Sequence, residues 1–120
     1  MRLTVRVYKR YDLDLLYLYS LNNENFDFRK EMKNAIISHV RHQSIHKTLP
    51  TGDCKAIINL PTFVAFHIVF DDTTEKDVVD WLRSITAGRK NALVKNVFRN
   101  VFPVVDTPYM FSSENNRSSI

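Results

Sequence analysis

At 120 residues the chain is long enough for one domain or two very small units. A hydrophobic content of 44% with only two glycines and four prolines marks a compact globular chain with substantial helix, and excludes a disordered or fibrous class. Seventeen Lys and Arg against thirteen Asp and Glu leave +4, compatible with a polyanion partner without demanding one, so the positions of the charges matter more than their sum.

Cys54 is the only cysteine, which excludes an intrachain disulfide and favours a reducing compartment. There is no apolar run of about twenty residues, so no transmembrane helix is expected. The N-terminal residues carry no apolar signal core, and the expected location is cytoplasmic, without membrane contact.

The first predicted element is a strand. Leu3, Val5 and Val7 alternate with Arg2, Thr4, Arg6 and Tyr8, which puts apolar side chains on one face and polar ones on the other. The polar face carries cations and a hydroxyl, groups that suit base edges and phosphates in a major groove. Lying so near the start of the chain, this strand must pair with a later segment or with another chain.

Asp12 is the expected N-cap of a helix over Leu13–Leu21. Its apolar residues lie almost all round, which predicts burial by a partner as well as by its own fold. Asn22–Asn25 reads as a polar turn. Asp27 then caps a second helix, Phe28 to His42, with Phe28, Met32, Ala35, Ile36 and Val40 inward. Arg29, Lys30, Lys33, Asn34 and Arg41 make its outer side basic.

Gln43 to Pro61 is irregular, with a turn expected over Thr48–Gly52, and suits a connector. Phe63–Phe70 is a second strand, apolar on both faces and therefore expected to be the more buried of the two. Asp71–Glu75 starts a third helix with Thr73 or Thr74 as cap, and Val78, Trp81, Leu82 and Ile85 follow at helical spacing. Gly88 is placed just past its end, in the left-handed position that suits glycine. The last helix spans Arg89 to Phe102, with Leu93, Val94, Val97, Phe98 and Val101 inward and Arg89, Lys90, Lys95 and Arg99 outward. Pro103 stops it. Pro108–Phe111 is expected to lie over the core as a lid, and the tail beyond Phe111 to be flexible.

The order strand, helix, helix therefore occurs twice. An ungapped shift of 65 residues brings Leu3 onto Ile68, Leu16 onto Trp81, Phe28 onto Leu93 and Asn23 onto Gly88. The expected organisation is a first unit over 1–46, a connector over 47–61, a second unit over 62–111 and a tail over 112–120.

Strand-helix-helix with an Arg/Thr-bearing strand resembles the ribbon-helix-helix DNA-binding proteins of mobile elements, such as ParR-type plasmid partition proteins and relaxosome accessory proteins. The resemblance implies an α+β fold of tandem ribbon-helix-helix-like units, a two-stranded antiparallel ribbon packed on four helices. It also implies that Arg2, Thr4 and Arg6 read bases from the ribbon. The turn before Phe28, with Lys30 and Lys33, and the segment Gly88, Arg89, Lys90 and Asn91 would hold phosphates. The second half departs from this pattern, because the shift of 65 puts His67, Val69 and Asp71 where the first half has Arg2, Thr4 and Arg6.

Two arrangements compete. Strand one either pairs with strand two inside the chain, or pairs with its own copy in a homodimer or higher assembly on repeated sites. The basic face occurs only on strand one, which favours the homodimer.

Other constellations carry less. His39, His42 and His46 have no nearby carboxylate or thiolate, so no metal is expected. Cys54 lacks an oxyanion-forming context, and neither a cofactor nor an enzymatic activity is expected. Asp71, Asp72, Glu75, Asp77 and Asp80 read as a solvated acidic face. The expected function is sequence-specific binding of double-stranded DNA in partition, relaxosome assembly or repression, with a filament or relaxase as a possible protein partner. The alternative is a small protein-binding adaptor or inhibitor without DNA contact.

Overall fold

A computed structural model describes residues 1–21, 26–47 and 61–102. The turn expected over Asn22–Asn25, the turn over Thr48–Gly52, Cys54 and the tail from Pro103 onward lie outside the described residues. The elements are β1 (Arg2–Tyr8), α1 (Leu13–Ser20), α2 (Phe28–Val40), β2 (Phe63–Val69), α3 (Lys76–Ser84) and α4 (Ala87–Val101). The fold is α+β, with one two-stranded antiparallel sheet and four helices.

β1 pairs with β2 of the same chain, in a register that sets Arg2 opposite Val69, Val5 opposite Phe66 and Tyr8 opposite Phe63. Alternation decides which face goes inward. Leu3, Val5 and Val7, with Phe66 and Ile68 across the ladder, are buried. A slip of one residue would turn all of them to solvent. Burying one such side chain stabilises the fold by about 1.5–3 kcal/mol. Beneath the ribbon, Phe28 stands edge-on to both Phe66 and Phe98. One core cluster takes residues from both halves of the chain, so the two strand-helix-helix units share a single interior.

Within the chain, strand one pairs with strand two, the first of the two arrangements. Side chains line the other edge of β1. The Arg6 N–H donates to Asn91 Oδ1 at 2.7 Å, and Asn91 Nδ2 donates to the Thr4 carbonyl at 3.0 Å. Lys95 Nζ donates to the Arg6 carbonyl at 3.1 Å, and the Tyr8 N–H donates to Asp12 Oδ2 at 3.0 Å. The amide of Asn91 thus takes the place of a neighbouring strand over Thr4–Arg6.

β2 is the more exposed strand, the reverse of the expectation. Phe63 and Val69 are exposed, because a ribbon lying on helices can bury only one of its faces.

Three helix boundaries differ from the sequence reading for identifiable reasons. Asp12 precedes α1 but makes no capping bond to it, since its carboxylate bonds Tyr8, Lys95 and Arg99 instead. Thr73 and Thr74 do not cap α3. Their N–H groups are bound by Asp71 Oδ1 at 2.8 and 2.9 Å, in a turn that leads to Lys76. Gly88 is not past the end of α3 but inside the first turn of α4, and its φ is not positive. Asp27 does cap α2, accepting from the Lys30 N–H at 3.2 Å. α1 needs no partner to cover it, for Leu15, Leu16 and Leu18 are buried and Leu13, Tyr17 and Tyr19 pack on the same core.

Matching bonds fix how the two halves correspond. The Tyr8 N–H donates to the Asp12 carboxylate as the Asp71 N–H does to Glu75, the latter at 2.7 Å. The Asp12 N–H donates to the Tyr8 carbonyl as the Glu75 N–H does to that of Asp71. At the ribbon and the turn that follows it, equivalent positions therefore differ by 63 residues (8 to 71, 12 to 75) instead of 65, while the bonds Ser20–Tyr17 and Ser84–Trp81 at the ends of α1 and α3 match at 64. A slip of two keeps every strand side chain on its face, so the hydrophobic pattern did not distinguish the two offsets. Arg2, Thr4 and Arg6 then correspond to Ala65, His67 and Val69. Asp71 corresponds to Tyr8 and lies two residues past the end of β2.

Candidate nucleic-acid interface

The outward face of the ribbon is set by the register. β1 contributes Arg2, Thr4, Arg6 and Tyr8, and β2 contributes Val69, His67, Ala65 and Phe63 opposite them. Arg2 and Arg6 are exposed and their guanidinium groups make no ion pair among the described residues. Thr4 is half-buried, with its hydroxyl 3.0 Å from His67 Nδ1. Thr4 and His67 are both opposite each other and equivalent under the offset of 63, so the axis relating the two strands passes between them. At one end Tyr8 packs on Phe63 and stands edge-on to Tyr11, and Arg10 lies over the Tyr11 ring. Arg10 and Lys9 extend the cationic face beyond the strand. Their contribution was legible in the run Lys9-Arg10-Tyr11 but was not assigned.

The helix N-termini flank this face. Asn91 ties α4 to the edge of β1; Lys90 and Arg89 precede it by one and two residues, about 100° and 200° round the helix, so Arg89 turns away from that edge, to the side of Leu93 and Asn96. The first turn of α4 contains no acid and Thr86 makes no side-chain cap; the Arg89 N–H donates to the Thr86 carbonyl at 2.9 Å, and two cations follow the uncapped start of the helix. Gly88 has open space around the position a Cβ would take. A shallow cleft of about 430 Å³ lies alongside, lined in part by Gly88, Arg89, Leu93 and Asn96. Leu93, expected inward, lines this cleft and is partly exposed.

The N-terminus of α2 is different. Asp27 occupies it with a carboxylate, which a phosphate would meet with repulsion. Lys30 is exposed there, while Lys33 lies 3.4 Å from Glu75 and over the Phe70 ring.

Two residues of the expected phosphate set therefore have other work. Asn91 is the cap of the β1 edge, and Lys33 is held by Glu75 and Phe70. Lys95 and Arg99, read as outward, turn in instead. Lys95 is 8% exposed and bonds Asp12 Oδ2 at 2.7 Å, while its ammonium lies over the Tyr8 ring. Arg99 bonds Asp12 Oδ1 at 2.8 Å and Asp14 Oδ2 at 2.7 Å. Burial would raise the Asp12 carboxyl, but hydrogen bonds from Lys95, the Tyr8 N–H and Arg99 outweigh it and hold the pKa below the ordinary value. Burial likewise opposes the charge on Arg99, and the bonds to Asp14 and Asp12 overcome it. A cation on an amphipathic helix is ordinarily a surface residue. Only the carboxylate arriving from 83 residues earlier brings Lys95 inside.

No family model, curated protein or solved structure matches this chain.

Away from the ribbon, the acids are engaged with cations or backbone. Asp77 pairs with Arg41 at 3.0 Å, Asp80 with Lys76 at 2.8 Å, and Asp72 with the N-terminal ammonium at 3.0 Å. His39 lies against the Trp81 ring. Among the described residues, no group of three potential metal ligands is assembled, and no helix is long and apolar enough to cross a membrane.

Proposed function

We propose that this chain is a sequence-specific double-stranded DNA-binding protein that presents the β1–β2 ribbon to the major groove. The observation that carries the reading is the division of labour among its cations. Lys33, Arg41, Lys47, Lys76, Lys95 and Arg99 are all spent on carboxylates. Arg2 and Arg6 on the ribbon face have no such partner among the described residues, and neither do Lys9 and Arg10 just past β1, Arg89 and Lys90 in the first turn of α4, or Arg29, Lys30 and Arg83 on the other helices. Free arginines on an exposed two-stranded ribbon, with uncapped helix amides at its flank, fit base edges and phosphates respectively.

On this reading Arg2 and Arg6 contact bases, Thr4 makes a lesser base contact, and Arg89, Lys90 and Lys30 neutralise phosphates. The layout is that of tandem ribbon-helix-helix-like units within one chain. Partition, relaxosome assembly or repression on a mobile element are the roles it suits.

A gel shift on random duplexes across a salt series tests the proposal, because each phosphate contact adds to the salt dependence. Arg6→Ala is expected to cost about 1–3 kcal/mol and to relax sequence preference, whereas Lys90→Ala weakens all sequences alike and reduces the salt slope by about one. Salt-insensitive binding, or an unchanged preference in Arg6→Ala, would count against it. A second reading, a protein-binding adaptor, draws on the exposed Tyr11, Phe63 and Val69. It predicts no salt-sensitive duplex binding at all.

A further inference from the structure

The outer face of the ribbon is chemically divided along its length. Across the ladder from Arg2 and Arg6 stand Val69 and Ala65, and the Thr4–His67 pair marks the midpoint. Val69 is 63% exposed and Phe63 46%, so the apolar row is as available to a ligand as the cationic one. The flanks are divided in the same way. α4, tied to the β1 edge by Asn91, carries Arg89 and Lys90 and no acid in its first turn, while Asp27 caps the helix on the β2 side. A symmetric ligand does not match such a face.

Resting on the duplex-binding reading above, we propose that one chain reads a non-palindromic duplex site, with guanine beneath Arg2 and Arg6 and thymine methyls beneath Val69, Ala65 and Phe63. The guanidinium fork matches O6 and N7 of guanine. The side chains of Val69, Ala65 and Phe63 offer no donor or acceptor, and Nδ1 of His67 between them is taken up by the Thr4 hydroxyl. Every base pair shows polar groups in the major groove, so discrimination by these side chains comes from an apolar contact and not from a hydrogen bond. The C5-methyl of thymine is the apolar group that the major groove supplies. The ribbon is formed within one chain, and Asn91 and Lys95 occupy the middle of the outer edge of β1, so one chain presents both rows.

The test is selection from randomised duplexes, followed by anisotropy titration of the selected site with the full chain. The expected site lacks two-fold symmetry and binds one chain per duplex. Replacing the thymines beneath β2 by uracil should weaken binding several-fold, and Val69→Ser should shrink that difference between thymine and uracil. Arg6→Ala should lose about tenfold on the guanine-bearing site and little on a duplex lacking that guanine. A palindromic site holding two chains, or equal affinity for thymine and uracil duplexes, overturns the inference and leaves duplex binding intact. Tight but sequence-indifferent binding does the same. No binding to any duplex overturns both.

Discussion

Asn91 shows how a single polar side chain takes the place of a strand along part of an edge. Its amide gives one acceptor to the Arg6 N–H and one donor to the Thr4 carbonyl, as a neighbouring strand would. Removing it leaves both backbone groups short of a partner, so Asn91→Ala should destabilise the chain by about 1–3 kcal/mol. Chemical denaturation measures this, and hydrogen exchange at Arg6 should speed up while exchange at Val5 changes less. Asp12 is the other decisive residue. Its pKa is lowered in the folded state, so the stability it contributes is present above the ordinary carboxylate pKa of about 3.9. That stability is lost as pH falls through the lower, folded value. The urea midpoint of the native chain should therefore drop on acidification in that window, and Asp12→Asn should flatten the drop. At neutral pH, Asp12→Ala is expected to cost about 3–5 kcal/mol, because it leaves the buried Lys95 ammonium without its carboxylate.

The elements differ in how much of them the residues announced. β1 is visible in the alternation of Arg2 to Tyr8, since a period of two has one structural meaning at that length. α2 is equally visible, with Asp27 before Phe28 and apolar residues at helical spacing. β2 misleads, because Phe63, Ala65 and Val69 are apolar yet face solvent, and composition alone reads them as buried. The boundary between α3 and α4 misleads too. Gly88 suits the end of one helix as well as the start of the next, and only backbone geometry separates these. With open space at its Cβ position and no positive φ, Gly88→Ala should raise stability by up to about 1 kcal/mol. A rise in melting temperature checks it, and a fall would mean that the first turn of α4 is not helical.

At the scale of the whole molecule, the halves are one cooperative body. Phe28 from the first half touches Phe66 and Phe98 from the second, and it is fully buried. Phe28→Ala should cost about 3–5 kcal/mol. Fluorescence of Trp81, on α3, should report the same midpoint as far-UV circular dichroism. Two separated transitions would show instead that the halves fold independently.

The amino-acid sequence by itself determined the order of elements, the α+β class, the inward rows of β1 and α2, and the placing of two arginines on the polar face of the first strand. These follow from short-range periodicity, and each residue's neighbours in the chain are enough to set it. Tertiary structure alone decided that β1 pairs with β2, that the two strands correspond at 63 residues, and that Asn91, Lys95 and Arg99 belong to the scaffold. Each of those depends on a hydrogen bond or ion pair between groups more than sixty residues apart, or on an offset of two that leaves every strand face unchanged. Hydrophobic pattern is blind to both.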